Sequence, residues 1–181
     1  MLVETLPVSA HDLVRLRPIL ESDLASWYSY ISTPEVYENT SWNVTSPEQL
    51  AQFVWQPRAA TPTSVLRLAV ALRSNDQLVG TVGFHSASPE NRTVELAYDY
   101  TPSVWGKGVA THVAAQCLAW AHSVGFNRVQ ATVLESNGRS KAVLERCGFR
   151  HEGFLRSYKM VRGVPGNFHM YAHIAFSPPA S

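Results

Sequence analysis

Residues 93–124 constrain the fold more than any other stretch of this chain. Thr93–Tyr100 alternates cleanly, with Val94, Leu96, Tyr98 and Tyr100 on one face and Glu95, Ala97 and Asp99 on the other. Trp105, Gly106, Lys107 and Gly108 then break the strand. Ala110, Val113, Ala114, Cys117, Leu118 and Ala121 follow at helical spacing, predicting a helix to about Val124. Gly125 supplies a C-cap, and Arg128–Val133 reads as another strand. A strand, a long helix and a strand in succession form a crossover, which requires two parallel strands in one sheet.

The remaining strands are antiparallel by the shortness of their connections. Leu13–Arg17 is a short first strand, stopped by Pro18. Val65–Leu72 and Leu78–His85 form a hairpin about Ser74, Asn75 and Asp76, and the turn Ser88–Asn91 leads into Thr93–Tyr100. Two helices precede them. One runs from Ser22 to Ile31, with Leu24, Trp27, Tyr28 and Ile31 on one face; the other starts at Ser46 and runs to about Trp55. Pro47 and Gln49 give this second start the form of a capping box. A loop spans Pro57 to Pro62. Further on, Arg139–Cys147 is a helix ended by Gly148, and Phe149–Phe154 is extended. Tyr158–Arg162 and Phe168–Phe176 form a last hairpin about Gly163–Gly166. The fold class is α+β, in an α/β/α arrangement: a mixed, mostly antiparallel central sheet with helices on both faces. Residues 13–176 form a single domain, with 1–12 and 177–181 as loose ends, and 181 residues suffice for one full core.

The balance of 15 Lys plus Arg against 14 Asp plus Glu predicts no broad attraction to nucleic acid or to a membrane surface. No apolar run approaches spanning length, and Met1–Ala10 carries neither a basic nor an apolar leader region. Cys117 and Cys147 both sit in predicted helices and read as reduced thiols, so a cytoplasmic protein is expected. His169 and His173 are four apart, but on a predicted strand. Without a His-Glu-x-x-His or Cys-x-x-Cys pattern, no metal site is expected. A serine-hydrolase elbow is also absent.

The turn at 105–108 is where chemistry can be placed. Free amides at a helix start, together with the helix dipole, suit an anion. Gly106 and Gly108 leave the backbone open to it, Ala110 keeps that surface low, and Lys107 adds charge at the rim. A nucleotide P-loop needs Ser or Thr after its lysine, and Gly108 stands there. A dinucleotide fingerprint needs Gly or Ala where Thr111 stands. A third pattern, Gln/Arg-x-x-Gly-x-Gly/Ala, is met at Gly108 and Ala110 with Trp105 in first place. An ordinary strand-to-helix turn fits the same residues.

A second motif narrows the choice. Asn137, Ser140, Val143, Leu144, Arg146, Gly148 and Phe149 match N-x-x-S-x-x-(V/L)-(L/Y)-x-(K/R)-x-G-F. Together with the turn, this segment resembles the GNAT superfamily of N-acetyltransferases. Glu95–Tyr98, Pro34–Val36 and the stretch from Arg156 to Gly163 resemble its RimJ/RimL-like branch, which acetylates ribosomal-protein N-termini. The resemblance spans Leu13–Ile174 and is specific over 93–154.

The resemblance implies a sheet whose third and fourth antiparallel strands part from the next strand to form a V-shaped gap, with acetyl-CoA as co-substrate in it. Leu96 and Tyr98 would border the pantetheine arm. The amides of Trp105, Gly106, Lys107, Gly108, Val109, Ala110 and Thr111 would hold the diphosphate, and Asn137 and Ser140 would reach the arm and the sulfur. An amine would attack the thioester through a tetrahedral intermediate. Ser140 or Tyr98 would protonate the leaving thiol (pKa about 8.5), and Glu95 would accept the amine proton through water. Each residue also has a purely structural reading: Asn137 and Ser140 as helix-start residues, Glu95 as a strand acid paired to arginine, Tyr98 as core. In that family the N-terminal third roofs the acceptor pocket, which makes Trp42, Tyr37 and Asn43 candidate substrate contacts, with Glu38 beside them. The acceptor is a protein N-terminus or a small amine, and a homodimer is a possible assembly. The alternative is a non-catalytic acyl-CoA-binding module. One departure stands out: Asp99 occupies a strand position where tryptophan is common in that branch.

Overall fold

The crossover demanded by residues 93–134 organises the molecule. The computed structural model describes residues 5–54 and 65–175. Residues 1–4, the Trp55 end of the second predicted helix, the Pro57–Pro62 loop, Phe176 and the 177–181 tail lie outside the described residues. Seven strands form one sheet: β1 Val14–Pro18, β2 Leu66–Leu72, β3 Leu78–Ser88, β4 Thr93–Tyr100, β5 Arg128–Leu134, β6 Arg150–Val161 and β7 Val164–Ile174. Their order is β1-β2-β3-β4-β5-β7-β6, and only β4 and β5 are parallel. The helices are α1 Leu24–Ile31, α2 Pro34–Tyr37, α3 Val109–Ser123 and α4 Gly138–Arg146.

Alternation along β4 divides the core in two. Val94, Leu96 and Tyr100 pack with Val82, Phe84 and the Val113, Ala114, Cys117, Ala121 stripe of α3. The opposite face meets α1 and the 3-10 turn Pro47–Phe53 through Trp27, Tyr30, Ile31, Leu50 and Ala69. Burial of the Cys117 thiol in the first core pushes its pKa up to about 12, which fits an inert packing thiol.

Four sequence expectations are corrected. The helix expected from Ser46 is a 3-10 turn with no side-chain cap at Ser46; the Gln49 side chain instead accepts the Thr45 amide at 2.9 Å. Residues 5–12 are packed rather than loose, with the Trp120 indole donating to the Thr5 carbonyl and Arg73 donating to the carbonyls of Ser9 and His11. The last hairpin turns at Arg162 and Gly163, both at positive φ, so Val164–Gly166 belongs to β7. Finally, β6 is one long strand from Arg150, bent by an irregularity between Leu155 and Lys159 where Ser157 has φ 50°.

Candidate active site

The site begins where two strands part. β4 and β5 pair only over Thr93–Glu95 and Arg128–Gln130. Beyond those residues β4 keeps β3 as its neighbour, β5 keeps β7, and a wedge opens between them. Two cavities occupy the wedge. One of about 950 Å³ lies toward α3 and α4. The other, about 330 Å³, lies toward β2, β3 and β6. Both fall in the range of roughly 300–1,000 Å³ usual for small-molecule sites. Tyr98, Ser140 and Asn137 line both cavities and mark their junction.

The larger cavity is a backbone site. Gly106 (φ 72°) and Gly108 (φ 76°) are left-handed, and an added Cβ at either would point into open space. Glycine is therefore there for conformation, and the open space is what a ligand requires. Among the described residues, the amides of Gly106 through Thr111 donate to no protein acceptor, and the α3 N-cap, Gly108, has no side-chain cap. Gly106, Gly108, Val109, Ala110 and Thr111 line the cavity, while Lys107 stands exposed at its edge. Trp105 forms a wall, its indole tied to the Tyr100 carbonyl and its face covered by the Arg139 guanidinium at 4.1 Å. Arg139 and Arg146 line the same cavity, so cations border a row of free amides. The buried Tyr100 hydroxyl, also on this wall, has no partner among the described residues. This donor set fits a diphosphate-bearing ligand with a polar arm.

At the junction, the Tyr98 hydroxyl lies 3.0 Å from Ser140 Oγ and 3.3 Å from the Ser140 carbonyl. Burial pushes the Tyr98 phenol well above its usual range, so it stays protonated and available as a donor at neutral pH. Asn137 caps α4 by accepting the Ser140 amide at 2.9 Å, and it donates to the Asn39 carbonyl at 2.7 Å. It thereby fixes both Ser140 and the loop after α2.

The smaller cavity is a side-chain site, and sequence reading missed most of it. Glu95 is buried there, accepting from Thr132 at 2.6 Å, with Lys159 Nζ at 3.5 Å and His85 Nε2 at 3.9 Å. Lys159 itself donates to Thr132 at 3.1 Å. Arg67 forms another wall, its guanidinium 5.4 Å from the centre of the Trp42 ring. Beneath it Asp99 is a hub, accepting from Trp27, Tyr30, Thr81 and Arg67. Asp99 is thus spent on holding Arg67, which gives the unusual strand residue a physical role. His85, Thr132, Lys159 and Arg67 come from four strands, and only strand register could have revealed them. Arg139 lies inside the second motif and was legible as a cation at a helix start.

Of the proposed acceptor contacts, Trp42 lines this cavity, packed edge-on against Phe53. Tyr37, Glu38 and Asn43 line neither cavity. The Tyr37 ring stacks under the Arg162 guanidinium at 4.3 Å, and Arg162 donates to the carbonyls of Tyr37 and Thr40. Asn43 accepts the Arg162 amide at 2.6 Å. These contacts dock the β6–β7 turn onto the loop that carries Trp42. Elsewhere, His169 bonds His151 and His173 bonds His122, and no group of three or more metal-ligating side chains occurs among the described residues. No described helix is long and apolar enough to cross a membrane.

A splayed parallel pair, an amide cradle at a helix start and a hydroxyl at the junction define an acyl-CoA-using transferase. Residues 14–150 match the Acetyltransferase (GNAT) domain family, and the chain belongs to that family of N-acetyltransferases. It is 29% identical over 170 residues to the uncharacterized N-acetyltransferase YoaA of Bacillus subtilis (strain 168), covering 92% of this chain and 96% of that one. It is 30% identical over 101 residues to the ribosomal-protein-serine acetyltransferase of Escherichia coli (strain K12), covering 55% and 56% of the two chains. Among solved structures it is similar to RimL, a ribosomal L7/L12 alpha-N-protein acetyltransferase in complex with coenzyme A. That match has a TM-score of 0.77, 19% identity, and coverage of 92% and 97%.

Proposed function

We propose that the larger cavity binds acetyl-CoA and that the smaller one receives a primary amine on a slender head group. That head is either a small amine or the first residue of a protein. The observation that carries this reading is the Tyr98–Ser140 hydroxyl pair, which lines both cavities where the strands part. Bound acetyl-CoA supplies a thioester carbonyl for the amine to attack. The amides of Gly106–Thr111 hold the diphosphate, with Lys107, Arg139 and Arg146 as counter-charges. The unpaired edge of β4 at Leu96–Tyr98 lies along the pantetheine arm. Tyr98 and Ser140 together protonate the departing thiol.

Trp42 and Phe53 in the walls of the smaller cavity, with its volume of about 330 Å³, support a head group of limited width. The Escherichia coli ribosomal-protein-serine acetyltransferase and RimL, an alpha-N-protein acetyltransferase, support a protein N-terminus. The two free cysteines support a cytoplasmic setting, and the near-neutral charge argues against a nucleic-acid partner. β6, one of the two edge strands of the sheet, exposes Phe154, Tyr158 and Met160, which supports pairing with a second copy.

The test is calorimetric titration with acetyl-CoA, followed by thiol release across a panel of small amines and N-terminal peptides. Saturable binding with release by at least one amine is expected. Binding without release by any amine leaves a non-catalytic acyl-CoA-binding module, and no binding removes the acetyl-CoA assignment.

A further inference from the structure

Resting on that reading, we propose that His85 accepts the proton of the incoming amine, and that Glu95 is the positioning residue that holds the resulting imidazolium. His85 and Glu95 are register partners across β3 and β4 and point to the same face. Both line the acceptor cavity. The β3–β4 register shifts immediately after His85, and Ser86 takes φ 52°, an unusual value for a non-glycine residue. Such a bulge re-aims the neighbouring side chain.

The surroundings divide the labour between the two groups. Glu95 Oε1 already accepts the Thr132 hydroxyl at 2.6 Å, and Lys159 stands 3.5 Å away as its counter-charge. His85 Nδ1 lies 2.9 Å from Ser86 Oγ. With Nδ1–H donating to Ser86, the Nε2 lone pair faces the cavity with Glu95 Oε1 3.9 Å away. The proton passes from the ammonium nitrogen to Nε2, directly or through one water, leaving a neutral amine to attack. Imidazolium then has a donor on each ring nitrogen, Nδ1–H to Ser86 and Nε2–H to the Glu95 carboxylate. Proton affinities favour this order: an imidazole (about 6.5) is a closer match to an α-ammonium (about 8) than a carboxylate is (about 4.3).

The charged groups facing His85 are Glu95 on β4, Lys159 on β6 and Arg67 on β2. Burial lowers the His85 pKa first; Lys159 and Arg67 lower it further, and Glu95 partly opposes them. His85 is therefore neutral near pH 7, and activity falls as acid protonates it.

The experiment is the pH dependence of kcat/KM for wild type, His85→Gln, His85→Ala and Glu95→Gln, with acetyl-CoA affinity measured on each. His85→Gln is expected to lose roughly 10²–10³-fold in kcat. It should keep wild-type acetyl-CoA affinity, with its acid limb moved up to the pKa of the free amine, about 8 for an α-ammonium. Millimolar imidazole should restore part of the His85→Ala rate. Glu95→Gln should keep an acid limb, moved to lower pH, with a smaller loss of kcat. A His85→Gln enzyme with wild-type kcat and an unchanged acid limb overturns the assignment, and so does a Glu95→Gln enzyme that has lost the limb. Intact acetyl-CoA affinity excludes misfolding as the source of any loss. A wild type that binds acetyl-CoA yet acetylates no amine overturns the transfer reading itself, and this assignment with it.

Discussion

The two cavities at the strand junction are built from different materials. The larger one is centred on backbone, the free amides of one continuous turn and helix start, Gly106–Thr111, with walls from β4, the loop after α2 and the length of α4. The smaller one is made of side chains from β2, β3, β4, β5 and β6, with Trp42 and Phe53 from the N-terminal third. A backbone cradle tolerates sequence change wherever glycine conformation is kept. A side-chain pocket changes with every substitution.

The sharpest way to break the comparison is to remove the support under Arg67 in the wall of the smaller cavity. Asp99→Ala leaves the buried Arg67 guanidinium, and the Trp27, Tyr30 and Thr81 donors, without their acceptor. A loss of about 3–5 kcal/mol in urea unfolding is expected. A loss below about 1 kcal/mol would show that Arg67 finds water or another partner. Next comes the cradle itself. Gly108→Trp forces a bulky residue into φ 76° over the amide row. Acetyl-CoA should bind at least about 100-fold more weakly, near 2.7 kcal/mol, with the circular dichroism spectrum unchanged.

The junction should respond in rate rather than affinity. Tyr98→Phe removes the hydroxyl beside Ser140, and a roughly 10–100-fold fall in kcat is expected with acetyl-CoA affinity altered less than about twofold. If affinity fell instead, Tyr98 would belong to the wall and not to the chemistry. The smallest effects come from two arginines that stack on aromatic rings. Arg139→Ala uncovers Trp105, and Arg162→Ala unties the β6–β7 turn from Tyr37 and Thr40. The first should weaken acetyl-CoA binding by about two- to fivefold with amine KM unchanged, and the second should do the reverse. Crossed effects would mean that the cavities are coupled through Asn39 and Asn137, which touch both.

How much was legible follows the same division. The β4–turn–α3 unit is readable because its determinants are local: alternation at period two, glycines at positive φ, and an apolar stripe along Val113, Ala114, Cys117 and Ala121. Asn137 and Ser140 are readable because capping acts over three residues. The contacts of Tyr37 and Asn43 were not readable, since nothing local says that Arg162, more than a hundred residues away, meets them. The packed segment 5–12 was missed for the same reason. Its anchors, Trp120 and Arg73, lie far along the chain.

The sequence by itself determined the crossover, the amide cradle and the hydroxyl at the junction, because each is encoded within a few neighbouring residues. Only the tertiary structure decided the smaller cavity. Glu95, His85, Lys159 and Thr132 meet through the β3–β4 register, the extent of the β4–β5 pairing and the bend in β6. A register slip of one residue would turn any of those side chains to the opposite face of the sheet.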